Sequence, residues 1–126
     1  MSRYRALLVD DMDQLRQLIR FTLEQSGHFE VVGEASNGRE GINAAEALQP
    51  DMILLDVSMP VMDGLEALPR IRGVAPHSAV VMLSGFSELR LGAEATAGGA
   101  AAYLEKGLAP DALVRRLLDV LGAPAG

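Results

Sequence analysis

Asp10-Asp11, Asp56, Ser84 and Lys106 each stand at the end of a short apolar run, at residues 6–9, 52–55, 79–83 and 100–104. An ionised carboxylate at the end of such a run is costly to bury without a partner. Its expected place is the carboxyl edge of a parallel sheet, where open α/β folds hold their ligands. If the runs are strands of one sense, their ends share that edge and these side chains converge. Three gathered carboxylates repel one another unless a cation neutralises them or some are protonated. Oxygen donors with no His or Cys nearby point to Mg²⁺, or Mn²⁺, rather than zinc. A carboxylate can attack phosphorus and form an aspartyl phosphate, and Asp56 is the candidate nucleophile. The transferring phosphoryl group needs charge stabilisation at its oxygens. Mg²⁺, the Lys106 ammonium and the Ser84 hydroxyl would supply it.

The elements that must position these groups follow from the apolar pattern. Runs of this length without alternation suit strands buried on both faces. After the first run, Met12, Leu15, Leu18, Ile19, Thr22 and Leu23 recur at helical spacing, with Gly27 as a stop. Residues 30–35 read as a second strand, and Ser36-Asn37-Gly38 as a turn. Ile42, Ala45 and Leu48 give a weaker helical stripe ending at Pro50. The Asp56 run leads into a loop stiffened by Pro60 and turned at Asp63-Gly64. Leu65, Leu68 and Ile71 mark a short helix that Pro69 should bend or shorten. Residues 87–97, rich in Ala with Leu89 and Leu91, read as a helix with a thin apolar face, broken by Gly98-Gly99. Pro110 suits a first helical position. Leu113, Val114, Leu117, Val120 and Leu121 complete an amphipathic helix with Arg115-Arg116 outward. Five strands alternating with five helices imply right-handed βαβ units and a parallel sheet covered on both faces.

Composition narrows the function classes. The 126 residues fit one domain, with 49% hydrophobic and 22% charged residues as in ordinary globular chains. A net charge of -6 argues against nucleic-acid binding through the domain's overall field. The absence of cysteine excludes disulfides, thiolate catalysis and Cys-ligated zinc. No apolar run reaches membrane-span length and the N-terminus does not read as a signal peptide, so a cytoplasmic location is expected. His28 and His77 fall at a helix end and in a loop, and read as surface residues.

Four ordered blocks carry a family resemblance: Leu8-Val9-Asp10-Asp11, the stretch from Leu54 through Asp56 and Ser58 to Gly64, Met82-Leu83-Ser84-Gly85, and the stretch from Gly99 through Tyr103 to Lys106. Together the chain resembles the receiver domain of bacterial two-component response regulators over residues 1–122, with 123–126 as a tail or the start of a linker. The resemblance implies a doubly wound, flavodoxin-like (βα)5 fold with strand order 2-1-3-4-5. It makes Asp56 the phosphoacceptor and Asp10 and Asp11 the acidic pair. Asp11, Asp56 and the backbone carbonyl of Ser58 would hold Mg²⁺, and Lys106 would pair with Asp56 or its phosphate. Ser84 would move onto the phosphate and Tyr103 would follow it inward, changing the surface of the fourth helix and last strand. The implied donor is a sensor histidine kinase or histidine phosphotransfer protein. Such a domain is not an enzyme toward other substrates, and catalyses only its own phosphorylation and dephosphorylation. Two departures stand out. Gly107 follows Lys106 where the family more often has Pro, and Ser58 and Phe86 occupy variable positions that tune phosphate hydrolysis.

Blander roles compete at each position. Asp10-Asp11 also suits helix capping, Ser84 a turn, Lys106 a solvated surface and Tyr103 a half-buried core ring. A Mg²⁺-dependent phosphatase of the haloacid-dehalogenase type would also use an aspartyl phosphate. It would place a second Asp where this chain has Ser58, and so lacks its proton donor. A degenerate receiver serving only as a binding module would have lost an acid or the lysine, yet the set is complete. No glycine-rich phosphate loop follows the first strand. The run Val31-Val32-Gly33-Glu34-Ala35-Ser36-Asn37-Gly38 looks like that of receivers preceding a helix-turn-helix domain. The output is then a downstream protein, such a DNA-binding domain, or phosphorylation-dependent homodimerisation, with no nucleic-acid or membrane contact through these residues.

Overall fold

A computed structural model of the chain describes residues 3–85 and 88–122. Phe86, the predicted helix start at Ser87 and the tail 123–126 lie outside the described residues. The elements are β1 (Tyr4–Val9), α1 (Asp13–Gln25), β2 (Phe29–Ala35), α2 (Gly38–Leu48), β3 (Met52–Leu55), α3 (Gly64–Val74), β4 (Ala79–Ser84), α4 (Glu88–Ala97), β5 (Ala102–Glu105) and α5 (Pro110–Val120). The strands are parallel in the order β2-β1-β3-β4-β5, as the resemblance implies.

Side chains alternate across the sheet and both faces are dry. Leu7, Val9, Ile53, Leu55, Val80, Met82 and Tyr103 pack with α2, α3 and α4. Ala6, Leu8, Met52, Leu54, Val81, Leu83 and Leu104 pack with α1 and α5. Phe29, fully buried at the start of β2, belongs to the second layer, although the predicted strand began one residue later. Within α1 only Ile19 and Leu23 are buried, whereas Met12 and Leu18, part of the predicted stripe, are more than half exposed.

Two predicted turns are helix caps. The Asn37 side chain accepts the Glu40 N–H at 2.9 Å, and the Asp63 side chain accepts the Glu66 N–H at 2.8 Å. The glycine after each cap opens its helix because another loop crosses there. A Cβ on Gly38 would lie 2.6 Å from the Met62 carbonyl oxygen, and one on Gly64 would lie 1.9 Å from the Asp56 carbonyl oxygen. Pro69 does not shorten α3, which continues to Val74. The proline sits on the exposed side, where water can satisfy the Leu65 carbonyl that lost its N–H partner. β5 begins at Ala102 rather than Ala100, because Gly99 turns the chain at φ 100° and the Ala100 N–H still bonds the Ala95 carbonyl at 3.0 Å.

The loop after β3 holds a strained residue. Val61 has φ 69°, and the Met62 N–H reaches the Pro60 carbonyl at 2.7 Å, the hydrogen bond of a γ-turn with a positive central φ. A β-branched residue is disfavoured there. The turn is held because Met62 is buried and its carbonyl accepts the Gly38 N–H at 2.9 Å. Val61→Gly should therefore stabilise the protein by about 1 kcal/mol, after the entropy that glycine loses on folding. Urea denaturation checks this, and a variant no more stable than wild type would contradict the strain.

Candidate functional site

The site is placed by the last rungs of the sheet. The Asp10 N–H bonds the Ala35 carbonyl at 3.0 Å, the Asp56 N–H bonds the Val9 carbonyl at 2.9 Å, and the Lys106 N–H bonds the Ser84 carbonyl at 2.7 Å. Asp10, Asp56 and Lys106 thus lie one step beyond the strands that aim them, Ser84 ends β4, and all are at the carboxyl edge. There Asp11, Asp56, Ser58, Ser84 and Lys106, with Met12 and Gly85, line an open cleft of about 430 Å³. Asp10 joins them through Lys106, whose Nζ is 3.3 Å from Asp10 Oδ2 and 3.2 Å from Asp56 Oδ1. One oxygen each of Asp10, Asp11 and Asp56 lie within 4.8 Å of one another.

Burial sets the electrostatics. Asp10, Asp56, Ser78 and Ser84 are the buried polar or charged residues among those described. Ser78 is tied to the Pro50 carbonyl at 2.5 Å, far from the cleft; the other three meet at it. Desolvation, reinforced by the charge of Asp10, pushes the Asp56 carboxyl above its ordinary range despite Lys106. Burial by itself would lower the Lys106 ammonium, but the charges of Asp56 and Asp10 outweigh it and the net direction is up. Lys106 therefore stays protonated at neutral pH, and the carboxylates still lack full compensation. That donor set, all oxygen and short of positive charge, fits a hard divalent cation.

The predicted residues are brought together, with differences in detail. Asp10 does not cap α1 but turns the chain into it: its Oδ1 accepts the N–H of Met12, the N-cap residue, at 2.9 Å in an Asx-type bond, and the helix has no side-chain cap. Asp11 and Ser58 are exposed in the cleft. Tyr103 is not in the cleft; its ring is already buried in the layer with Val57 and Met82. Gly107 has φ 103°, open to glycine without strain, and the described peptide bonds are all trans. Sequence reasoning missed Arg16, whose guanidinium grips the Asp10 carbonyl, Asp13 and Glu34. Its signal was a basic residue in the first turn of α1, where the helix dipole disfavours positive charge. It also missed the close approach of Gly64 to Asp56, legible only as an Asp-Gly pair.

Comparison with known proteins agrees with the fold. The family described as response regulator receiver domain matches residues 6–118. The chain belongs to this family, whose general function is phosphorylation on an aspartate. It is 32% identical over 116 residues to the chemotaxis protein CheY of Thermotoga maritima, covering 92% of this chain and 96% of that one. It is 40% identical over 111 residues to the nitrate/nitrite response regulator NarL of Escherichia coli K12, covering 88% of this chain and 51% of NarL. Among solved structures, a LuxR-family two-component response regulator from Aurantimonas aligns with TM-score 0.89 at 27% identity, covering 99% of this chain and 90% of that one. The response regulator domain of Thermotoga maritima CheB aligns with TM-score 0.85 at 30% identity, covering 96% and 95%.

Proposed function

We propose that Asp56 is the phosphoacceptor and that its modification switches the surface of α4 and β5. The observation that carries this is the meeting of three buried polar side chains, Asp10, Asp56 and Ser84, at one sheet edge with Lys106 bridging the two acids. A carboxylate oxygen of Asp56 attacks phosphorus in line with the leaving imidazole nitrogen of a phosphohistidine. The O–P bond forms, the N–P bond breaks, and the imidazole takes up a proton. Lys106 and the Ser84 hydroxyl would meet the phosphoryl oxygens. Asp11, Asp56 and the Ser58 carbonyl would hold Mg²⁺ beside Asp10; when bound, the ion offsets charge at those oxygens. The domain acts only on itself in this reading, accepting and losing one phosphoryl group.

The donor is a sensor histidine kinase or a histidine phosphotransfer protein. Met12 at the cleft, with Leu18 and Phe21 along α1 and Leu108 after β5, forms an exposed apolar face suited to a helical partner. For the output, Tyr103 starts from an inward position, so phosphorylation acts by holding Ser84 and Tyr103 in one arrangement rather than by drawing the ring in. The contact that reads this surface is a downstream protein, a DNA-binding domain or a second receiver.

Incubation with acetyl phosphate tests the proposal: intact mass should show one phosphoryl adduct that requires Mg²⁺. Uptake by a Mg²⁺-free sample, or none from any donor, would contradict it. Lys106→Ala should still accept phosphate, but without the change in Tyr103 environment, read by NMR. It should also lose about 1–2 kcal/mol of metal-free stability, because the lysine is partly solvated and its loss leaves buried like charges uncompensated. Mg²⁺ should raise the melting temperature of this variant more than that of wild type; an equal rise would argue against charge compensation by Lys106.

A further inference from the structure

We propose that Arg16 is a positioning residue for Asp11, holding the peptide that aims this carboxylate at the metal. The inference rests on the reading of Asp10, Asp11 and Asp56 as the Mg²⁺ site. Arg16 lies in the first turn of α1, where its charge opposes the helix dipole, and it stands on the same side as the proposed divalent cation. Yet its side chain is only 15% exposed and has a partner for each nitrogen. Nε donates to Glu34 Oε1 at 3.0 Å, one terminal nitrogen donates to Asp13 Oδ1 at 2.6 Å, and the other donates to the main-chain carbonyl of Asp10. Glu34, on β2, is itself braced through its second oxygen by Arg20 at 2.7 Å. One planar fork thus ties β2, the start of α1 and the Asp10–Asp11 peptide together, a geometry a lysine cannot reproduce.

The two acids differ in how they are held. Asp10 is fixed through its N–H to Ala35, through Oδ1 by the Met12 N–H and through Oδ2 by Lys106. Asp11 is exposed, and among the described residues no hydrogen-bond donor holds its carboxylate. Its direction is set by the backbone, and the peptide leading into it is the one whose carbonyl Arg16 grips. Rotation of that peptide would swing the Asp11 carboxylate away from Asp56. Partners outside the first ligand shell commonly govern metal affinity in this way.

Calorimetric titration with Mg²⁺ of wild type, Arg16→Gln, Arg16→Lys and Glu34→Gln tests this, together with the amide ¹⁵N resonance of Asp11 in the metal-free proteins. Arg16→Gln should weaken Mg²⁺ binding about tenfold and Glu34→Gln by a smaller factor. The Asp11 resonance should move in both, and Arg16→Lys should not restore the wild-type affinity. Unchanged affinity and an unmoved Asp11 amide, with only a lower melting temperature, would reduce Arg16 to a brace between β2 and α1 and overturn the proposal. Full rescue by lysine would overturn it in favour of simple charge. If Arg16→Gln does not fold, Glu34→Gln carries the same comparison. A wild-type protein that binds no Mg²⁺ while its Asp11 amide responds to Arg16 would refute the metal reading and not the hold on the peptide.

Discussion

Asp56→Asn is expected to accept no phosphoryl group and, without Mg²⁺, to be more stable than wild type at neutral pH. Loss of uptake follows from removing the nucleophilic oxygen, because an amide does not form the acyl phosphate. The gain in stability follows from the electrostatics of the cleft. Burial and the charge of Asp10 raise the Asp56 pKa in the folded protein. A carboxyl with a raised folded pKa contributes stability that is full below its unfolded pKa and is lost as pH rises through the folded value. Above the folded value that contribution is gone, whereas asparagine is neutral throughout. The variant should therefore gain on the order of 1 kcal/mol at pH 7 in EDTA, with the difference shrinking below the carboxylate range. Urea denaturation at both pH values measures it. Mg²⁺ should reverse the order, because ligand binding stabilises the state that holds the charge. A variant less stable than wild type at neutral pH in EDTA would mean that Lys106 compensates both acids fully.

Gly64→Ala is expected to cost about 3 kcal/mol or more and to impair phosphorylation in whatever protein still folds. Its Cβ would fall 1.9 Å from the Asp56 carbonyl oxygen and 2.8 Å from the carbonyl carbon. Both are main-chain atoms, so no side-chain rotation relieves the overlap. Gly64 also donates its N–H to the Val57 carbonyl at 2.7 Å, which pins the start of α3 against the phosphoacceptor loop. Gly73, in the same helix, supplies the control: a Cβ there meets nothing within 4 Å. Gly73→Ala should be neutral or gain about 0.5–1 kcal/mol from helix propensity. Equal stabilities for the two variants would show that α3 does not crowd Asp56.

Strand ends and the carboxylate cluster were legible because both are one-dimensional signals. Apolar runs at residues 6–9, 52–55 and 79–83 mark buried strands, and a parallel sheet brings their ends to one edge. What escaped was set by contacts between loops distant in the chain. Asn37-Gly38 and Asp63-Gly64 look like turns, since the crossing backbones of Met62 and Asp56 that demand glycine are invisible locally. The strain at Val61 depends on Met62 being held from both sides. Arg16 reads as a solvated helix charge until β2 brings Glu34 beside it. Leu18 and Phe21 show the converse limit: apolar residues near a helical stripe do not reveal which of them the fold leaves exposed.

The most direct test of the central claim is chemical mapping of the phosphorylated residue. Borohydride reduces an acyl phosphate, converting phosphorylated aspartate to homoserine, which peptide mass spectrometry locates. After phosphorylation with acetyl phosphate and Mg²⁺, homoserine at position 56 alone is the result this account predicts. Homoserine at Asp10 or Asp11, or a stable phosphoryl adduct that borohydride leaves unchanged, would contradict it.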